Sequence, residues 1–266
     1  MKYLLLTFDV EEFVRPIEKG LAYDEDELFE VSRRGVENIL GLLKEKNVKS
    51  TFFVTHVFAM RHKELVKKLV RDGHELALHA YSHDDPYSEM EDKETYRLLE
   101  KAKSGLERTF GVVVKGFRSP QLQFVSKNVL KKLGVVYDSS FHPTWVPGKY
   151  FHLFGKREVF RKNGLTVVPI SVAWGLRLPF SWIWFRVFGL DYAKFCTLMV
   201  NNKFINIYFH PWDFVDLSPY QKDIGWLYVR NSGQKMVKDM GKYIDFCKSR
   251  GFVPSTIVGF IENESK

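Results

Sequence analysis

The chain has 266 residues, 45% of them hydrophobic, which is enough to bury a sizeable core in a single domain spanning 1–266, with no repeat or low-complexity stretch. Its formal charge of +8 arises from 40 basic residues interspersed with 32 acidic ones rather than from a basic arm. With no zinc-finger spacing, glycine-rich RNA clamp or recognition-helix pattern, a dedicated nucleic-acid binder is excluded.

The chain opens directly on Tyr3-Leu4-Leu5-Leu6-Thr7-Phe8, an apolar run without a charged leader or small-residue cleavage site. This reads as a first buried parallel strand, and the chain is expected to be cytoplasmic. Leu28, Val31, Val36, Ile39, Leu40 and Leu43 then recur at helical spacing. A strand is predicted at Ser50 to Val54, a helix at Lys63 to Arg71 stopped by Gly73, and a strand at Glu75 to Leu78. A helix over Asp92 to Phe110, a strand over Val113 to Phe117 and a helix over Val125 to Leu133 follow. After Gly134, Val135 to Tyr137 reads as a strand, followed by a less regular section to residue 170. A helix starting near Asp191, a strand at Ile205 to Phe209, a helix at Gln234 to Ser249 and a closing strand at Gly251 to Val253 complete the order. Cys196 and Cys247, both in predicted helices, make no disulfide framework and read as buried thiols. The alternation predicts an α/β fold: a distorted, incomplete (β/α) barrel with about seven parallel strands, with a two-sided parallel sheet as the competing arrangement.

In such folds the loops at the carboxyl ends of the strands converge, so the residues directly after each strand are the informative ones. Asp9 and Glu11 follow the first strand, His79 and His83 the third, Arg118 the fourth, and His210 the strand ending Tyr208-Phe209. Glu11, His79 and His83 suit a borderline divalent cation, zinc before cobalt or another ion. The two histidines, four residues apart, face one way if the segment is helical or turn-like, although taken alone they also fit surface histidines on a short helix. Asp9, beside but outside such a ligand set, suits a general base, and Arg118 suits the group that orients it. An acidic capping loop and a surface salt bridge are the plainer readings of these residues. His210, ahead of Pro211, is either a fourth ligand or an acid; three ligands and an open position leave it the acid role. His56, His62, His74, His142 and His152 receive no site role.

With those residues in place, the sequence resembles the polysaccharide deacetylases, carbohydrate de-N-acetylases of the NodB type. The resemblance covers residues 2 to 260 and rests on Thr7-Phe8-Asp9-Val10-Glu11, Gly73 to His83, Gly116-Phe117-Arg118-Ser119-Pro120 and Tyr208-Phe209-His210-Pro211-Trp212-Asp213. It implies a distorted β/α barrel with Asp9 as base, Glu11, His79 and His83 as metal ligands, Arg118 as partner of the base and His210 as acid. The first motif differs from the commonest family form, two adjacent aspartates, and marks a branch with an Asp-x-Glu motif. The acidic partner of the acid histidine is left between Asp191 and Asp213, and Asp138-Ser139-Ser140 resembles a loop near the substrate.

The expected reaction is hydrolysis of an N-acetyl or other acyl group from an amino sugar, free, polymeric or lipid-linked. The backbone N–H after Pro120 is a candidate helper for the oxyanion. A cyclic amide or imide hydrolase and an inactive carbohydrate-binding protein are the alternatives. The segment Trp174 to Leu190, with four aromatics between Phe180 and Phe185, is too short and interrupted to span a membrane. It either contacts sugar or membrane lipid at the active-site mouth, or packs against the barrel or a second subunit in a homo-oligomer.

Overall fold

A computed structural model of the chain describes residues 1–148 and 150–264. The strands, numbered along the chain, are β1 (Lys2–Val10), β2 (Thr51–Thr55), β3 (Glu75–Ala80), β4 (Gly116–Phe117), β5 (Tyr137–Asp138), β6 (Trp145–Val146), β7 (Tyr150–Phe151), β8 (Phe160–Lys162), β9 (Leu165–Val167), β10 (Phe204–Phe209) and β11 (Phe252–Pro254). β1 is buried from Tyr3 onward because both its edges are covered: β10 pairs along one, β2 and the short β11 along the other. The order β10-β1-β2-β3-β4-β5-β9 is parallel throughout, seven strands as expected, and β8 adds an antiparallel edge.

The sheet curls into an open half-barrel rather than lying as a two-sided layer. Side chains from strands far apart in the order meet inside it: Arg118, just past β4, reaches Thr7 of β1, and Asn206 of β10 reaches Ser139, just past β5. The open seam between β9 and β10 has no strand pairing but is bridged by Ser171 N–H to the Asn206 carbonyl and by the Asn206 amide to the Val168 and Pro169 carbonyls.

Helices cover the outside, and their sequences explain their limits. Glu25–Glu45 starts at Asp24, whose carboxylate accepts the Asp26 N–H, and carries three acidic residues in its first turn, where the helix dipole favours them. All six apolar residues read at helical spacing in this segment are buried, each core side chain contributing about 1.5–3 kcal/mol. Asp92–Phe110 ends at Gly111, whose left-handed φ of 66° a side chain would resist. Lys63–Arg71 and Gln234–Ser249 have their expected bounds.

Three elements depart from expectation. The strand over Val113 to Phe117 contracts to two paired residues, since Val113 is 73% exposed and has no core to enter. The strand at Val135 to Tyr137 shifts to Tyr137–Asp138. The helix expected near Asp191 begins at Trp182 and runs to Leu198, with a break at Gly189 (φ 83°). Both cysteines are buried and free, and no helix among the described residues is long and apolar enough to cross a membrane.

Candidate active site

Alternate residues of a strand face the same side, so Thr7, Asp9 and Glu11 all turn inward while Phe8 and Val10 join the outer core. Arg118, fully buried, organises them. Its Nη1 donates to Asp9 Oδ1 (2.7 Å) and Thr7 Oγ1 (2.7 Å), its Nη2 to Ser139 Oγ (2.9 Å) and its Nε to the Ser139 carbonyl (3.0 Å). Four aligned donors and a packed Phe53 ring at 4.2 Å leave the guanidinium one orientation.

The same residue fixes a histidine through its backbone. The Arg118 carbonyl lies 2.7 Å from His79 Nδ1, an acceptor that places the proton there and leaves Nε2 with a lone pair, 3.1 Å from Glu11 Oε2. His83 follows in a turn tied by Asp85, whose Oδ2 accepts the Tyr81 and Ser82 N–H groups and the Tyr87 hydroxyl. That turn brings His83 Nδ1 to 2.7 Å from Glu11 Oε2, so both histidines face one carboxylate.

Burial would raise the Glu11 carboxyl, but the imidazoles of His83 and His79 hold it well below the usual carboxylate range. Burial would lower His83, yet Glu11 outweighs it and pushes the imidazole up to about 11. Among the described residues no three such side chains are spread around an open cation position; Glu11 instead hydrogen-bonds His83 and lies against His79 Nε2. The donor chemistry nonetheless fits a divalent cation: one carboxylate and two imidazoles, with the His79 ring oriented by a backbone carbonyl through its other nitrogen.

His210, after β10, lies with Nε2 3.9 Å from Glu11 Oε1, between the stacked Trp212 ring (4.5 Å between centroids, 9°) and the edge of Trp182 (4.8 Å, 69°). Burial lowers its pKa, against Asp213, Glu11 and Asp9, which raise it. Of the two aspartates, Asp213 is the one that bonds His210, through its backbone N–H. Its Oδ2 accepts the His210 backbone N–H (2.9 Å) and its Oδ1 lies 2.9 Å from Arg186 Nε, both side chains being buried, whereas Asp191 is exposed on its helix beside Lys194. Asp213 holds the His210 backbone.

Asp9, Glu11, His79, His83 and His210 line one cleft of about 280 Å³ whose walls include Tyr150, Trp182, Trp184, Tyr208 and Tyr228. Trp182, Ile183 and Trp184 of the aromatic segment thus line it. Among the lining groups that sequence reasoning did not single out are Gln121 and His142. Gln121, with a left-handed φ of 52°, turns its amide to 3.3 Å from His83 Nε2; the run Arg118-Ser119-Pro120 was the available signal for a strained turn there. His142 hydrogen-bonds Tyr150 through Nδ1 (2.8 Å), has no partner at its buried Nε2, and is lowered by burial and by Arg118 to about 3. It lies outside any strand end, so nothing in the sequence set it apart.

The sequence profile of the polysaccharide deacetylases matches residues 2–137. A protein of Bacillus subtilis strain 168 named YlxY and described as uncharacterized is 34% identical over 89 residues, 34% of this chain and 28% of that protein. A peptidoglycan-N-acetylglucosamine deacetylase of Bacillus cereus is 34% identical over 82 residues, 31% of this chain and 30% of that enzyme. The matched stretches thus span about a third or less of these relatives' lengths. Among solved structures, an allantoinase superposes with a TM-score of 0.63 at 18% identity, covering 97% of this chain and 88% of its own, a likeness of fold.

Proposed function

The chain belongs to the polysaccharide deacetylase family, and from that premise we propose that it is a metal-dependent hydrolase that removes an N-acetyl or similar small acyl group from an amino sugar. The observation that carries this reading is the convergence, in one buried cleft, of a carboxylate locked by an arginine, a carboxylate facing two imidazoles, and a third imidazole between indole rings.

Glu11, His79 and His83 would hold the cation, zinc by donor type, with cobalt as a working substitute. When bound, such an ion polarises the amide carbonyl and acidifies water. Asp9 takes the proton from the attacking water, and Arg118, bonded to its Oδ1, keeps the carboxylate aimed. The Gln121 backbone N–H, beyond Pro120, assists the developing oxyanion. His210 delivers a proton to the departing nitrogen. Because burial favours its neutral form, the imidazole receives that proton within the reaction cycle rather than resting protonated. Trp182, Trp212 and Tyr208 offer ring faces and edges for a pyranose.

The test is a screen of the metal-loaded protein against acetylated amino sugars, free and lipid-linked, and against cyclic amides, reading acetate release and ring opening. Acetate release abolished by chelation and restored by zinc or cobalt is expected. Ring opening without acetate release would replace the amino-sugar reading with a cyclic-amide one, and a metal-loaded protein that binds sugar without turnover would make it a binding protein.

A further inference from the structure

A second depression, of about 360 Å³, adjoins the catalytic cleft, and Trp184 lines both. Most of its remaining walls are apolar, among them Trp145 on β6, Leu176 and Leu178 on the loop before the Trp182–Leu198 helix, and Phe188 and Tyr192 on that helix. Leu176 is 79%, Phe188 56% and Trp145 54% exposed, so the walls present to water a contiguous apolar surface of the kind soluble chains rarely leave bare without a ligand or partner.

One charged side chain, Arg177, lines this groove. Its guanidinium donates to the Pro143 and Gly155 carbonyls (3.3 and 2.7 Å) and has no carboxylate partner among the described residues. Burial lowers its pKa, as expected for a guanidinium held without a carboxylate. A guanidinium without a carboxylate suits a phosphate, which accepts its forked donors. The backbone at Arg177 is held left-handed at φ 53°, a strained conformation for a residue with a side chain.

We propose that the substrate is amphiphilic: an acylated amino sugar joined through phosphate to a hydrocarbon chain, with the sugar in the cleft, the phosphate at Arg177, and the first part of the chain along Trp145, Leu176 and Phe188. The inference rests on the amino-sugar hydrolase reading, and its test separates the two by measuring binding apart from turnover.

The probes are N-acetylglucosamine 1-phosphate esterified with dodecanol below its micelle concentration, the same compound esterified with methanol, and methyl N-acetylglucosaminide. Titration calorimetry on the metal-loaded protein is expected to show the dodecyl ester binding at least about a hundredfold tighter than the methyl ester, since each buried methylene adds several-fold. Leu176→Asp and, separately, Phe188→Asp should each cut dodecyl binding at least about tenfold and leave the methyl ester unchanged, which also shows that the variants are folded. Arg177→Gln should weaken both phosphodiesters alike and spare the uncharged glycoside. Equal binding of dodecyl and methyl esters, or tight binding of dodecyl phosphate and anionic vesicles irrespective of the sugar, overturns the proposal, the latter in favour of a membrane-docking surface. Chain-dependent binding of the dodecyl ester without acetate release upholds it while removing the hydrolase reading.

Discussion

The pair Arg186–Asp213 provides a quantitative test of how the site is built. Both side chains are buried, their charged atoms lie 2.9 Å apart, and Arg186 also donates from Nη1 to the Tyr228 carbonyl at 2.7 Å. Burial favours the neutral form of Arg186 and Asp213 opposes it, so the pair persists only as a pair. Replacing Arg186 with Met fills much of the same volume but strands the Asp213 carboxylate away from water, a loss expected to cost about 3–5 kcal/mol. At about 1.4 kcal/mol per factor of ten, the folded-to-unfolded ratio falls by roughly two to three and a half powers of ten. Equilibrium unfolding in urea, followed by tryptophan fluorescence and circular dichroism, measures this as a lower midpoint at constant slope. Adding Asp213→Asn removes the stranded charge and keeps an oxygen for the His210 N–H, so the double variant should regain more than half of the loss. A single-variant loss below about 1 kcal/mol, the range of an exposed ion pair, or a double variant no better than the single, would refute this reading.

Asp9→Asn should abolish turnover while metal analysis still finds the cation, whereas His79→Ala should release it; metal lost from Asp9→Asn alone would exchange the roles of the two carboxylates. His210→Ala should lower kcat on an unactivated acetamide by about 10²–10⁴, with undiminished hydrolysis removing it as the acid. Gly35→Ala should destabilise the fold and reduce turnover together, because an added Cβ would lie 2.0 Å from the Pro211 carbonyl oxygen beside His210. Gly41→Ala, which meets nothing within 4 Å on the same helix, should stabilise by about 0.4–1 kcal/mol in thermal or urea unfolding. His74 is lowered to about 4 by burial and accepts the Ser50 N–H, so the folded state carries it neutral while the unfolded chain protonates it near 6.5. Its contribution is full above pH 6.5 and is lost as pH falls toward 4. In urea titrations between these values, His74→Asn should reduce the dependence of stability on pH by up to about 1.4 kcal/mol per unit, and an unchanged slope would count against it.

Where a segment's burial was one-sided, its sequence was readable: Lys63–Arg71 and Gln234–Ser249 have polar outer faces and clear stops. The Trp182–Leu198 helix was legible only from Asp191 because its first turns are apolar on nearly every side and Gly189 breaks the pattern. Asp9, Glu11, His79, His83, Arg118 and His210 were visible because each lies at or just beyond the end of a core strand, and the structure gathers all six. The tie from Asp213 to Arg186, by contrast, joins residues 27 positions apart through a helix that the pattern concealed. His142 and Gln121 enter from a loop and a strained turn, where position along a strand carries no information.

The open seam between β9 and β10 has a further consequence. A barrel closed by continuous strand pairing transmits a change in one loop to its neighbours through the shared ladder, whereas here that stretch is held by side-chain and isolated backbone contacts around Asn206. The groove walls at residues 145–192 lie in the stretch of chain flanking this gap, while Asp9, Glu11, His79, His83 and Arg118 sit on the uninterrupted run β1 to β4. Insertions and substitutions in that stretch can therefore reshape what the protein holds without shifting the register of the strands that hold the reacting groups, which makes it the natural place to graft a new specificity.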